Sequence, residues 1–76
     1  MNPSLIILGS TGTIGVQALE VAQQHGMPVR ALAAGRNVQR MEAQIRTFRP
    51  ELAVLQDEAA AADLRTRVAD LPVRVL

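Results

Sequence analysis

The sequence predicts an α/β fold in which strands and helices alternate as β-α-β-α-β-α-β around a parallel sheet. Three observations carry this. Short, largely apolar runs recur at residues 5–8, 29–34, 52–55 and 73–76. Between them lie segments whose apolar residues follow helical spacing. The connections are short, and strands that alternate with helices pair in parallel through right-handed crossovers.

Each element has its own signal. Residues 4–8 read as a buried strand, because Leu5, Ile6, Ile7 and Leu8 are consecutive and apolar. Such runs typify parallel sheets covered on both faces. A glycine-rich turn follows, then a helix to about Gln24 with Ile14, Ala18, Leu19, Val21 and Ala22 expected on its buried face. Gly26 suits a left-handed residue ending that helix, and Pro28 stops its continuation. Residues 29–34 read as the second strand. Asn37 is a good N-cap for a second helix, in which Val38, Met41, Ile45 and Phe48 share one face, and Pro50 closes it. Residues 52–55 form the third strand. Asp57 caps a third helix with Leu64, Val68 and Leu71 as its buried stripe and Ala59, Ala60, Ala61 and Ala62 supplying propensity. Pro72 ends it, and residues 73–76 begin a fourth strand. This is the first half of a Rossmann-like doubly wound sheet, with the last strand assigned to the following half. Residues 1–76 are thus expected to be the N-terminal part of a dinucleotide-binding domain. The stop at Leu76, inside an apolar strand, leads to the expectation that a complete fold continues.

Composition narrows the function. The 76 residues are 49% apolar with Phe48 as the sole aromatic, a set of small and branched side chains suited to packing helices on a sheet. Eight arginines against seven acids leave a net charge of +1, with no basic run and hence no nucleic-acid footprint. No cysteine is present, which excludes disulfides and thiolate chemistry and fits a cytoplasmic setting. The apolar run 5–8 is too short for a membrane span. His25 at a helix end, Asp57 and Glu58 at a helix start, and Asp63, Arg65 and Arg67 on a solvated face all have structural explanations.

The chemistry lies in Gly9-Ser10-Thr11-Gly12-Thr13-Ile14-Gly15, spaced G-x-x-G-x-x-G after a strand and at the opening of a helix. That context turns a common pattern into a dinucleotide fingerprint. Gly9 permits the turn, Gly12 admits a phosphate to the backbone, and Gly15 allows close helix packing. Free N–H groups at the helix start would face the pyrophosphate, favoured by the helix dipole. Ser10, Thr11 and Thr13 could add hydroxyl donors. The competing reading is a strand-to-helix turn that uses glycine for geometry alone.

Selectivity is read at the second strand's exit. An acid there would bind the ribose of NAD. This chain has Gly35-Arg36-Asn37 instead, with no acid along the sequence until Glu42. A guanidinium attracts a 2′-phosphate that a carboxylate would repel, so the reading is NADP. The alternative is a solvated loop arginine.

Three blocks carry a family resemblance. Residues 7–15, ILGSTGTIG, closely resemble the start of 1-deoxy-D-xylulose 5-phosphate reductoisomerases, with Thr13 where that family usually has Ser. Residues 33–38, AAGRNV, resemble its second block, with Arg36 where Lys is common, and residues 48–54, FRPELAV, its third. The resemblance implies NADPH contacts at Thr11, Gly12, Thr13, Ile14, Gly35, Arg36 and Asn37. It also implies an enzyme that rearranges and reduces a phosphorylated sugar with a divalent metal, Mg or Mn, while the apolar strand edges that half a doubly wound sheet leaves bare lead to the expectation of a homo-oligomer. Its catalytic and metal-binding residues would lie outside this chain, which alone would be inactive. The alternatives are another NADP oxidoreductase, such as a semialdehyde dehydrogenase or a sugar-nucleotide reductase, and a stand-alone nucleotide-binding or interaction domain.

Overall fold

The structure is a computed structural model and describes residues 4–76. Seven elements follow the expected order: β1 (Leu5–Leu8), α1 (Thr13–Gln24), β2 (Val29–Ala34), α2 (Val38–Phe48), β3 (Leu52–Leu55), α3 (Glu58–Arg67) and β4 (Arg74–Val75). All neighbouring strands are parallel, and the sheet order is β1-β2-β3-β4. This corrects the placing of the last strand. A strand of the following half would flank β1, on the far side from β2. Instead β4 pairs with β3 and extends the same half outward.

The strand order decides which residues are buried. Right-handed crossovers that all step the same way across a sheet put every helix on one face. Accordingly the row Ile7, Leu32, Ala53 packs into the core with Leu19, Ala22, Met41, Ile45, Leu64 and Val68. The opposite row is uncovered, with Ile6 64% and Leu8 78% exposed. The expectation of a strand covered on both faces therefore fails for β1. Ile14 and Val21, expected on the buried face of α1, are also exposed, at 78% and 51%. They lie seven residues apart on one side of α1, away from the core formed by Gly15, Leu19 and Ala22.

A register shift between Leu5 and Ile6 leaves Arg30 without a partner in the β1–β2 ladder. The extra residue lets Val29 face the core at 5% exposure while Arg30 reaches Glu51 in solvent. Both expected caps form. Asn37 Oδ1 accepts from Arg40 N at 3.0 Å, and an Asp57 carboxylate oxygen accepts from Ala60 N at 2.8 Å. Gly26 is left-handed as expected, with φ 62°. Arg49 takes the same conformation at the end of α2, with φ 52°, so α2 already terminates before Pro50. The third helix stops at Arg67, and Val68 serves as its C-cap rather than as a further helical residue. Ala60 and Ala61 are buried, so the alanine run packs as well as favouring helix.

Asp63 and Arg67, with the solvated face they occupy, join a wider network across α2 and α3. Arg46 contacts Glu42 and Asp70, and Arg67 contacts Glu42 and Asp63. The Arg46 hydrogen bonds hold the Asp70 carboxyl below its ordinary value of 3.8. A folded-state value below the unfolded one contributes stability above the unfolded value and loses it as pH falls through the folded one. The pair is exposed, so its contribution is small and weakened by salt. An NMR titration is expected to place the Asp70 midpoint below the usual carboxylate range, and Arg46→Ala to return it upward. An unchanged midpoint in that variant would refute the pairing.

Candidate functional site

The C-terminal ends of β1 and β2 lie side by side. Leu8 is in register with Ala33, and the N–H groups of Gly9 and Ser10 both donate to the Ala33 carbonyl at 2.7 and 3.0 Å. The turn after β1 is therefore anchored to the very strand whose exit carries Gly35, Arg36 and Asn37. The residues of both blocks gather at one edge of the sheet.

The three glycines of the turn have different reasons to be glycine. Gly9 has φ 71°, a conformation that side chains resist. A Cβ on Gly15 would overlap the Gly9 carbonyl oxygen and lie 2.7 Å from Ser10 Cα, so α1 starts by packing directly on the turn's own backbone. Gly12 is different. Its φ of −83° is open to any residue, and a Cβ there would meet only the Gly9 oxygen at an ordinary 3.5 Å. The fold itself does not require glycine at that position, whereas an approaching ligand would.

Gly12 is also the N-cap of α1, with no side-chain cap and no acid in the first turn. The cap residues of α2 and α3, by contrast, use their side chains. Among the described residues the backbone N–H groups of Thr11, Thr13, Ile14 and Gly15 have no partner outside α1, and the first intrahelical bond runs from Val16 N to Gly12 O at 2.9 Å. Unpaired donors at the positive end of a helix form a natural anion site.

The side chains separate further. Thr11 is partly exposed, and Thr13 and Ile14 are exposed, at the edge where the sequence placed them. Ser10 is corrected: it is fully buried, with its hydroxyl turned toward Met41 Sδ at 4.0 Å. Its side chain faces the core rather than the open edge. The reason is that Ser10 follows the left-handed Gly9, which turns the chain back over the end of the sheet.

Arg36 is exposed and has no protein partner among the described residues, while Arg30, Arg40, Arg46, Arg49, Arg65 and Arg67 each donate to a protein oxygen. Arg36 shares a hollow with Gly35, Gln56 and Asp57. Asp57 is thus an acid near Arg36 in space, which spacing along the chain did not reveal. It is brought there by Asp57 N donating to Gly35 O at 3.1 Å, and its carboxylate is engaged as the α3 cap.

Two more residues reach the turn unannounced by sequence. Gln44 Nε2 donates to Ser10 O at 2.7 Å, and Arg40 Nη1 donates to Thr11 O at 3.2 Å. Both come from α2, opposite the turn, and neither belongs to a motif. No three His, Asp or Glu side chains stand together as a metal site among the described residues. No helix among them is long and apolar enough to cross a membrane.

A strand, a glycine turn and an uncapped helix beside a second strand's exit define a Rossmann-like α/β fold of the dinucleotide-binding class. The chain belongs to the 1-deoxy-D-xylulose 5-phosphate reductoisomerase family, whose sequence profile matches residues 5–76. It is 50% identical over 74 residues to the 1-deoxy-D-xylulose 5-phosphate reductoisomerase of Desulfitobacterium hafniense, covering 95% of this chain and 19% of that protein. It is 46% identical over 67 residues to the enzyme of Caulobacter vibrioides, covering 86% of this chain and 17% of the relative. The chain therefore spans about a fifth of the length of these curated relatives. Among solved structures, a DOX-P reductoisomerase in complex with magnesium superposes with TM-score 0.92 at 30% identity, over 100% of this chain and 20% of that one. The Zymomonas mobilis reductoisomerase in complex with NADPH gives TM-score 0.91 at 27% identity, over 99% of this chain and 20% of that one.

Proposed function

We propose that this chain is the NADPH-binding segment of an enzyme that rearranges 1-deoxy-D-xylulose 5-phosphate and reduces the product to 2-C-methyl-D-erythritol 4-phosphate, a step of non-mevalonate isoprenoid synthesis. Family membership supports the reaction class. The observation that carries the binding role is the start of α1, where a glycine that the fold does not need caps a helix whose first N–H groups have no partner among the described residues. The residues fit the cofactor. Thr11, Thr13 and Ile14 present N–H groups to a pyrophosphate, Gly12 leaves room for its approach, Gly15 sets their position, and Gly35, Arg36 and Asn37 border the adenosine. Arg36 supplies the charge that a 2′-phosphate needs. When bound, NADPH supplies the hydride for the reduction. This chain's part is to hold the adenosine and pyrophosphate end and so fix where the nicotinamide lies.

The remaining parts of the reading lie beyond these residues. Residues 1–76 are taken as the N-terminal part of the cofactor domain, with the divalent metal, the catalytic groups and the phosphorylated-sugar site on other segments of the full-length enzyme. The enzyme is placed in the cytoplasm as a homo-oligomer.

Two measurements on the 76-residue chain test this. Titration with NADPH, followed by calorimetry or cofactor fluorescence, is expected to show saturable binding at one site. Incubation with 1-deoxy-D-xylulose 5-phosphate, NADPH and manganese is expected to leave the absorbance of the reduced cofactor unchanged. No detectable binding would remove the cofactor role, and substrate-dependent oxidation would show that the catalytic groups are present here after all.

A further inference from the structure

We propose that Gln44 and Arg40 are positioning residues that hold the phosphate turn from α2, turning its carbonyls away from the cofactor and locking it to the adenosine-side loop. This rests on the NADPH reading above. A phosphate is repelled by carbonyl oxygens and attracted by N–H groups. The turn between β1 and α1 carries both, and its peptides could rotate unless something holds them. Two consecutive carbonyls of the turn, those of Ser10 and Thr11, are held by side chains of α2. Gln44 Nε2 donates to the first at 2.7 Å in a buried contact, and Arg40 Nη1 to the second at 3.2 Å.

The other side of the turn is also fixed, by Gly9 N and Ser10 N on the Ala33 carbonyl and Gly12 N on the Gly9 carbonyl. With the Ser10 and Thr11 carbonyls drawn toward α2 and the Gly9 carbonyl taken by Gly12 N, the turn leaves, among the described residues, its unpaired N–H groups at the start of α1. The same helix is registered to the second block. Arg40 N is capped by Asn37 Oδ1 at 3.0 Å, directly after Gly35 and Arg36. Arg40 therefore touches the phosphate turn with its side chain and the adenosine-side loop with its backbone. The two halves of the cofactor site are set in one register by α2.

Packing alone accounts poorly for Gln44. It is 8% exposed, and its Oε1 has no hydrogen-bond partner among the described residues. An apolar side chain would fill such a position without desolvating an amide. What the amide adds is the bond to Ser10.

The test uses the 76-residue chain with Gln44→Met, Arg40→Ala and Arg40→Lys. Amide hydrogen exchange without cofactor is expected to quicken about 5- to 10-fold at Gly9, Ser10 and Gly12 in Gln44→Met, as expected for one lost hydrogen bond. Exchange at Leu32, Ile45 and Ala53 in the core should stay as in wild type. NADPH affinity should fall by a similar factor, about 5- to 10-fold, in Gln44→Met and Arg40→Ala, with Arg40→Lys recovering part of the loss. Turn and core exchange that quicken together would mean a merely structural role and overturn the proposal. So would unchanged turn exchange in Gln44→Met, or faster turn exchange with unaltered NADPH affinity. A wild-type chain that leaves NADPH unbound would overturn the cofactor reading and with it the purpose of the clamp. The exchange pattern would still show whether the clamp itself exists.

Discussion

Gly15→Ala is expected to lower the melting temperature by roughly 8–16 °C and to abolish NADPH binding. The added Cβ meets three backbone atoms: it overlaps the Gly9 oxygen and lies 2.7 Å from Ser10 Cα and 2.8 Å from Gly9 C. No rotamer change relieves a backbone overlap, so either α1 or the turn must move. Overpacking of this kind costs about 1–3 kcal/mol, and more when the neighbours cannot yield. A backbone overlap this close belongs at or above the upper end of that range; alanine regains up to about 1 kcal/mol of helix propensity, which leaves a net loss of roughly 2 kcal/mol or more. In a domain of this size each kcal/mol corresponds to about 4–8 °C. The total stability of such a chain is only about 4–11 kcal/mol, so the loss is a large fraction. Displacing the turn also moves the N–H groups that start α1.

Gly12→Ala separates the two effects. Its Cβ has an ordinary 3.5 Å contact within the fold, and the change at an N-cap costs at most about 1 kcal/mol. It should melt near wild type and yet bind NADPH poorly. Circular dichroism melts and cofactor titrations on both variants check this. A Gly15→Ala chain that melts like wild type would show that α1 does not lie on the turn as described.

Arg36→Ala is expected to weaken NADPH binding about 10- to 100-fold and to leave NADH nearly unaffected. A charge-assisted hydrogen bond contributes roughly 1.5–3 kcal/mol, which converts to that range of affinity. The geometry favours the assignment. The exit of β2 stands beside the exit of β1, and Arg36 is exposed with no protein partner among the described residues. Binding a phosphate would therefore break no existing ion pair. Asp57 borders the same hollow, but its carboxylate accepts from Ala60 N. Arg36→Glu should reduce NADPH binding further, by adding repulsion to the loss of attraction. Parallel titrations with NADPH and NADH give the answer. Equal losses for both cofactors would assign Arg36 to general binding, and no loss would leave the 2′-phosphate to another group.

Much of this protein is determined by local sequence. The order of elements, the caps at Asn37 and Asp57, the left-handed Gly26 and the Met41–Ile45 face of α2 all depend on neighbours a few residues away. The glycine turn and the Gly35-Arg36-Asn37 exit were legible for the same reason, since each is a continuous segment with its own backbone chemistry. Tertiary structure alone decided the rest. Whether an apolar strand is covered on one face or two depends on the direction in which successive crossovers step. Ile6 and Leu8 therefore lie bare in a run that reads as buried, and β4 stands beside β3 rather than β1. The inward turn of Ser10 depends on the left-handed Gly9 before it and on Met41 in α2. The approach of Gln44 and Arg40 to the turn, 34 and 29 residues away along the chain, depends on α2 packing beside α1 on the covered face of the sheet. Such contacts leave no periodic or motif signal, because the carbonyls they hold belong to the backbone and are the same whatever the sequence.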